Sequence, residues 1–525
     1  MALPNWGDVK MPDDWTFGYR ADIGYTHGYY RDLSPVMLGF ALLSKMQSHR
    51  VGRPLRYLEL GYGQGLSLNV HAATVPGEYW GTDFNPAQAA NAKDLAAASG
   101  ADIRVLDSSF EELAARDDLP MFDVIVLHGI WSWISDANRR VIVRIARQHL
   151  AIGGILYISY NSTPGWSAAM PLRHLMNLHA DLASGEGLGV LSKVDGALAF
   201  AQSVVDSRAG YFKANPAVAD RLVKIKAQDR HYVAHEYFNA DWLPMPFSDV
   251  AEYLSEAKLS FAASASFIEH HDGMNLTADQ QKLLNDIRHP ILKESVRDYM
   301  VNQQFRKDIW VKGARPMPPH EQAARVKEHS FVLMTPVADV PLSIMGVLGE
   351  TKLQEAAFLP VLELLARNGF APKTGAELLA GPPKQNHVQI MQVLALLIGS
   401  GHVCPTQSPT QSKLAQPTSN ALNASLIANA EFSSDTMFLA SPLIGGAVGV
   451  TRFQQLFLKS IKNFRKTPAE WAADAWGSLD AQGQRLIKSG KTVETKEENL
   501  SALLDMAVDF HGKRLPIMKA LGIAQ

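Results

Sequence analysis

Residues 55–160 predict an open α/β fold: a mostly parallel sheet with helices on both faces, carrying helical insertions and followed by mainly helical C-terminal regions. Two observations predict it. Short runs rich in β-branched and aromatic residues recur at 55–60, 79–82, 103–106, 122–127 and 155–160, and alanine-rich or helically periodic stretches separate them at 67–73, 86–99, 110–116 and 136–150. Strand–helix alternation of this kind implies right-handed crossovers and a sheet buried on both sides. A third observation bounds the rest: 525 residues are too many for one core, so further domains follow.

In chain order, a segment dense in aromatics comes first, within residues 1–50 (Trp15, Phe17, Tyr19, Tyr25, Tyr29 and Tyr30), which reads as a lid over the cofactor site or as a plain extension packed on the sheet edge. The sheet domain spans 51–335. Gly153-Gly154 reads as the left-handed cap closing the helix 136–150. Helical patterns then run over 167–184, 194–207, 216–228 and 248–257. Strand-like runs at 259–267 and 330–334 read as the two strands that complete the sheet. Residues 336–405 carry three helical patterns and a short final run, which suggests a winged-helix-like unit. The stretch CPTQSPTQSKLAQPTS at 404–419 marks a linker, taken as residues 406–420, and 421–525 read as helical.

Composition narrows the function classes. Lysine and arginine total 50 against 52 acidic residues, a net charge of −2, so no global field attracts nucleic acid or an anionic membrane. Arg306, Lys307, Lys312 and Arg315 can form a local phosphate-contacting patch, although dispersed basic residues are usually a solvated face. The single cysteine, Cys404, excludes an internal disulfide and a cysteine-rich metal site, which suits a cytoplasmic protein. No metal-ligand spacing is present, and the adjacent His270 and His271 would not converge on one ion. The start of the chain lacks the basic-then-apolar order of a signal peptide, and the apolar run 437–450 is too short for a bilayer span.

The chemistry begins at the loop Glu59-Leu-Gly61-Tyr-Gly63-Gln-Gly65, which follows a strand and opens a helix. A nucleotide-triphosphate loop would end in Gly-Lys-Ser/Thr, and a dinucleotide fingerprint would place a glycine where Leu66 stands. Glycines at alternate positions behind an acidic residue suit S-adenosylmethionine, whose cationic sulfonium and ammonium groups want carboxylate and carbonyl oxygens. Glycines after a strand also occur in purely structural turns. Asp83 ends the second strand, where a carboxylate can accept both ribose hydroxyls, as in nucleotide-binding folds. Asp107 and Ser108 end the third, within reach of an adenine amino group, and His128-Gly129 follows the fourth. Each aspartate alone can equally be a helix N-cap.

The series ELGYGQG, GTDFNP, DSS and FDVIVLHGIWSW resembles the motifs of class I methyltransferases, whose sheet is Rossmann-like. With SYNSTPGW at 159–166, HEYF at 235–238 and QQFRKDIWVKG at 303–313, it resembles a narrower bacterial group that carries a methyltransferase regulatory domain. Some members of that group are protein-lysine methyltransferases. The resemblance implies cofactor roles for Glu59, Gly61, Gly63, Asp83 and Asp107, with His128 lining the pocket. The chain departs from the pattern at Ser162-Thr163, where an aromatic residue before the proline is expected.

On the acceptor side, methyl transfer needs alignment and exclusion of water rather than a covalent nucleophile or metal. Asn161, just past the fifth strand, can accept a hydrogen bond from an incoming amine, or simply cap the turn before Pro164. His128, His235 and Glu236 can take the proton an amine or hydroxyl must lose. Tyr25, Trp131, Trp133 and Trp166 can wall the pocket, although core packing suits a tryptophan equally. The acceptor is a protein lysine or other macromolecular amine, or a small metabolite; a non-catalytic binding protein is the reading from a different class. The helical additions favour a macromolecule.

Overall fold

The computed structural model describes residues 28–524 apart from positions 51, 53, 186, 240, 383 and 489. Trp15, Phe17, Tyr19 and Tyr25 of the expected lid therefore lie outside the described residues.

The central sheet holds seven strands: β1 (Leu55–Leu60), β2 (Gly77–Thr82), β3 (Ile103–Leu106), β4 (Phe122–Leu127), β5 (Leu150–Asn161), β6 (Leu259–Ser264) and β7 (Phe305–Lys312). Their order is 3-2-1-4-5-7-6, with β7 antiparallel to both of its neighbours. This is the open, doubly wound α/β sheet expected from the alternation. β1 sits near its middle, which is why Tyr57, Leu58 and Leu60 are all buried whichever face they point to.

Between the strands run α1 (Leu66–Thr74), α2 (Pro86–Ser99) and α3 (Asp136–His149). Asn85 caps α2 by accepting from Ala87 N, with Pro86 at the first helical position and Gly100 left-handed at the far end. Ser135 caps α3. After β5, the chain inserts a helical layer with its own core around Trp166, Leu172, Met176, Leu198 and Leu222. The helix α4 (Arg230–Tyr237) returns the chain toward the sheet, and α5 (Pro290–Val301) leads into β7.

The structure corrects three expectations. Gly153 and Gly154 do not cap α3, which ends at His149 on an extended Leu150; they sit in an irregular start of β5, where Gly153 O accepts from Arg50 N at 2.9 Å. The last strand of the sheet is not 330–334: Ser330–Leu333 is the middle of a separate sheet between Lys373–Thr374 and Val403–Pro405. The strand that completes the large sheet is β7, whose Arg306 and Asp308 are buried as an ion pair at 2.9 Å. Residues 406–420 are not a linker, because α6 (Pro409–Asn429) is a continuous helix lying against α1. Thr418 Oγ1 and Ser419 Oγ both donate to the carbonyl of Ala73, at 2.7 and 2.9 Å, satisfying the end of α1.

The basic residues form no patch either. Arg306 is buried, Lys307 pairs with Asp32 at 2.5 Å, and Lys312 donates to the carbonyls of Arg147 and Leu150 at 2.7 and 2.9 Å, at the end of α3. The run 437–450 is a largely buried hairpin, Phe438–Ser441 with Gly446–Gly449. Among the described residues no helix is long and apolar enough to cross a membrane.

Candidate functional site

A cavity of about 500 Å³ opens at the carboxyl ends of β1, β2, β4 and β5, where ligands of open α/β sheets bind. Its first wall is the loop after β1. Gly61 and Gly65 both hold left-handed backbone, φ 75° and 76°. A Cβ on Gly61 would overlap the Ile130 side chain in the loop after β4, so the left-handed loop and this cavity wall meet closely here only because the residue is glycine. Gly65 lies outside the cavity and does a different job: a Cβ there would overlap Ala92 of α2, so it lets α1 and α2 pack closely. Gly63 N donates to Asp83 Oδ2 at 2.9 Å, tying the loop to the end of β2.

Two buried carboxylates face the cavity, and neither is in an ion pair among the described residues. Glu59, at the end of β1, accepts from Tyr57 OH at 3.4 Å. Burial pushes its carboxyl up to about 8; the Tyr57 bond lowers it and the charge of Asp83 adds to the rise. Asp83 accepts from Asn85 N at 3.1 Å as well as from Gly63 N, and burial outweighs both bonds to raise it to about 6. With its amide turned to satisfy both groups, Gln88 also donates to Asp83, at 3.0 and 3.3 Å. At the end of β3 the wall is Ser108, Ser109 and Phe110, and Asp107 is exposed outside the cavity. Phe84, Phe110, Ile130 and Ile134 add an apolar lining.

His128 lies between two layers. Its Nδ1 meets Tyr157 OH at 2.9 Å and Ser159 Oγ at 3.2 Å, and its ring packs on Tyr30 with centroids 4.1 Å apart and the planes tilted by 33°. Burial first, and then the charge of Lys307, lower it to about 4. It is therefore neutral at physiological pH and a poor proton acceptor, although it lines the cavity as expected.

The opposite end of the cavity is built from β5, the helical insertion and α4. The backbone of Asn161 is held on both sides: its N–H donates to Ser132 Oγ at 2.9 Å, and its carbonyl accepts from Met245 N at 2.9 Å. Its side chain lines the cavity, with Nδ2 buried and lacking a hydrogen bond. On α4, Tyr232, His235 and Glu236, with Asn239 just beyond, recur at helical spacing and present one face to the cavity. Burial lifts the Glu236 carboxyl to about 7. Trp133, Trp166 and Asp241 complete this end. Trp166 is held edge-on against Trp242, centroids 5.1 Å apart, with the Arg221 guanidinium 3.8 Å over its ring.

Eleven residues read from the sequence thus converge: Glu59, Gly61, Gly63, Asp83, Ser108, His128, Trp133, Asn161, Trp166, His235 and Glu236. Trp131 does not join them. It is buried under the sheet, donating from its indole N–H to Met245 Sδ at 3.2 Å. The residues that sequence reasoning missed (Tyr232, Asn239, Asp241, Gln304 and Phe305 among them) flank motifs it had noted but needed the phase of α4 and the register of β7.

Comparison with known proteins now bears on this geometry. The methyltransferase domain family matches residues 58–154, and the predicted methyltransferase regulatory domain family matches residues 229–312. Over 515 residues the chain is 38% identical to uncharacterized protein sll1526 of Synechocystis sp., covering 97% of this chain and 100% of that one. The chain belongs to the S-adenosylmethionine-dependent methyltransferases that carry this regulatory domain. A second relative, uncharacterized protein RP789 of Rickettsia prowazekii, is 26% identical over 260 residues, covering 48% of this chain and 45% of its own. The fold is shared with PKMT2 of Rickettsia typhi, solved alone and in complex with AdoHcy; TM-scores are 0.66 and 0.67 at 17% identity, covering 95% of this chain and 100% of that one. In this methyltransferase the regulatory segment is part of the site itself: it supplies α4, β6 and β7, and with them Tyr232, Glu236, Gln304 and Phe305 of the cavity wall. The cavity also fits the family's cofactor, since buried carboxylates without ion pairs among the described residues suit a cationic ligand and the Gly61–Gly63 turn lines the same wall.

Proposed function

We propose that this methyltransferase moves a methyl group to a primary amine, the side chain of a protein lysine. The observation that carries the reading is the far end of the cavity, where Glu236 and Asp241 stand among Trp133, Trp166 and Tyr232 around the amide of Asn161. A lysine arrives as a compact cation on an apolar stem. Carboxylates draw such a cation in, and aromatic faces hold it where water is thin. The full-length likeness of fold to PKMT2 points the same way.

At the other end, Glu59, Asp83 and the Gly61–Gly63 turn would hold S-adenosylmethionine, Ser108 and Phe110 flanking its base. When bound, that cofactor supplies a methyl group activated by its sulfonium. The chain's own groups do the rest. Asn161 offers its side-chain carbonyl to an amine N–H and so orients the amine's lone pair. Glu236, with a carboxyl near 7, takes the proton that the lysine ammonium must lose before its nitrogen can attack. His128 stays neutral and serves as a wall, while Tyr30, Trp133 and Trp166 keep water out.

The test is incubation with methyl-labelled S-adenosylmethionine and fractionated bacterial lysate. Label recovered in protein, and in ε-methyllysine after hydrolysis, is the expected result. Label confined to metabolites or nucleic acid overturns the lysine acceptor while leaving the methyltransferase standing.

A further inference from the structure

Residues 28–34 run between the cofactor end of the cavity and the C-terminal part of the chain, and their side chains divide between the two. Tyr30 faces the site, its ring packed against that of His128 with centroids 4.1 Å apart, and its backbone N donates to Ser67 Oγ of α1 at 2.9 Å. Asp32 faces the same way and pairs with Lys307 of β7 at 2.5 Å. Tyr29 faces the other way. Its ring lies 5.5 Å from His71 of α1 and 5.5 Å from Phe438 of the C-terminal hairpin, and the Ala447 backbone hydrogen-bonds its hydroxyl. Arg31 donates to the carbonyl of Gly399 at 2.8 Å, and Ser34 Oγ donates to that of Gly445 at 2.8 Å.

We propose that the hairpin Phe438–Ser441/Gly446–Gly449 is a positioning element of the cofactor site, acting through Tyr29 to hold Tyr30 against His128. This rests on the reading of the cavity's first end as the cofactor site, and it assigns a task to a region of the chain that neither matched domain covers. The fit is tight at one point. Gly446 stands where any Cβ would overlap the Tyr29 hydroxyl, so the hairpin can carry only a hydrogen there if Tyr29 is to stay in place. The Tyr29 ring is confined between His71 and Phe438, so a push on its hydroxyl is passed to the backbone it shares with Tyr30. The hairpin lines no part of the cavity, so its effect on the cofactor is indirect; it touches both residues 28–34 and α1, and pairing the Gly446 and Tyr29 substitutions separates the first route from the second.

The experiment is calorimetric binding of S-adenosylmethionine to the full-length chain and to three variants. Gly446→Ala is expected to weaken binding about tenfold, the equivalent of moving one wall residue off its seat. Tyr29→Phe, which removes the atom that the new Cβ would strike, is expected to bind within about threefold of wild type. The double variant Gly446→Ala/Tyr29→Phe is then expected to recover most of the loss, which a hairpin with a merely structural role would not do. Should Gly446→Ala fail to fold, Phe438→Leu, which removes the hairpin ring that packs on Tyr29, reads the same coupling, with an expected loss of about threefold. Binding by Gly446→Ala or Phe438→Leu that matches wild type, or a double variant no better than Gly446→Ala, overturns the inference alone. A wild-type chain that does not bind S-adenosylmethionine overturns the cofactor reading as well.

Discussion

Glu59 holds its proton at neutral pH until a cation displaces it, and Asp83 titrates just below that range, which makes the pair's titration informative. Their carboxyl groups are raised to about 8 and about 6 by burial, so the ligand-free protein binds protons that the unfolded chain would release. The stability this contributes is fully present below the unfolded values, near 4.5 and 3.8, and is lost as pH rises through about 6 and then about 8. Cofactor binding has the opposite sign, because a cation selects the ionised form and expels the proton. Affinity for S-adenosylmethionine should therefore climb from pH 6 to pH 8, by at most about tenfold per unit for each proton released. The ligand-induced rise in melting temperature should widen across the same window, and a flat difference would remove Glu59 from the cofactor's cation. Asp83→Ala strips an acceptor from Gly63 and Asn85 as well as from the ligand. Calorimetry should show affinity falling by about 10- to 100-fold, the range for a charge-assisted hydrogen bond. At the other end, Glu236→Gln keeps the shape and removes the proton acceptor. Its kcat should drop by about 10²- to 10⁴-fold with cofactor affinity unchanged, and the rise of wild-type rate through a pH of about 7 should vanish. Unchanged kcat would assign the proton to another group.

Among the elements, β7 carries the most for its length and was the hardest to read. β1 to β4 are legible because their short apolar and aromatic runs alternate with helical stretches, and in β1, β2 and β4 most of each run is buried. FRKDIWVK does not look like such a run, whereas the apolar stretch Ser330–Leu333 does. What the sequence cannot display is that the β7 charges cancel inside the protein. Arg306 pairs with Asp308, with Asp298 of α5 and with Glu294, while Tyr160 OH donates to Asp308 at 2.8 Å. This cluster welds β7 to β5 one residue before Asn161, so it also steadies the acceptor end. Arg306→Met would leave carboxylates buried without their counter-charge and should cost about 3–5 kcal/mol in urea denaturation. A loss under 1 kcal/mol would mean that the carboxylates simply take up protons. The helix α6 misled for a related reason. Pro, Ser, Thr and Gln dominate it, yet Ser408 caps it, Pro409 sits in its first turn, and Ala415, Ser419, Leu422 and Leu426 recur at helical spacing on its buried face. The carboxylates at the strand ends were legible from spacing alone. The exception came at β3, where the residue lining the cavity is Ser108 and the aspartate one position earlier points to solvent. Strand phase decides that, and a motif does not carry it.

At the scale of the whole molecule, α1 links the two halves of the chain. Its first turn follows the glycine loop, and its last carbonyls are taken by side chains from beyond residue 405: Thr418 and Ser419 on Ala73, and Gln407 on Thr74 at 2.7 Å. Arg514 reaches back to the carbonyl of Met334 at 2.9 Å, so the end of the chain is also tied to the small second sheet. A single core cluster accordingly runs from Leu38 and Tyr57 through Leu397 to Leu422, Phe457 and Met518. Chains of this length usually divide into domains that melt separately. Here the shared core and the borrowed helix end argue for one cooperative unit. Scanning calorimetry should show a single unfolding transition, and S-adenosylmethionine should shift that transition as a whole, since a ligand of the native state stabilises everything that unfolds with its site. Hydrogen exchange gives the local version of the same test. Amides of α6, which lies outside the cavity, should gain protection on cofactor binding along with those of α1. Two resolved transitions, with only the earlier residues responding to the cofactor, would mean that the C-terminal region folds independently of the methyltransferase site.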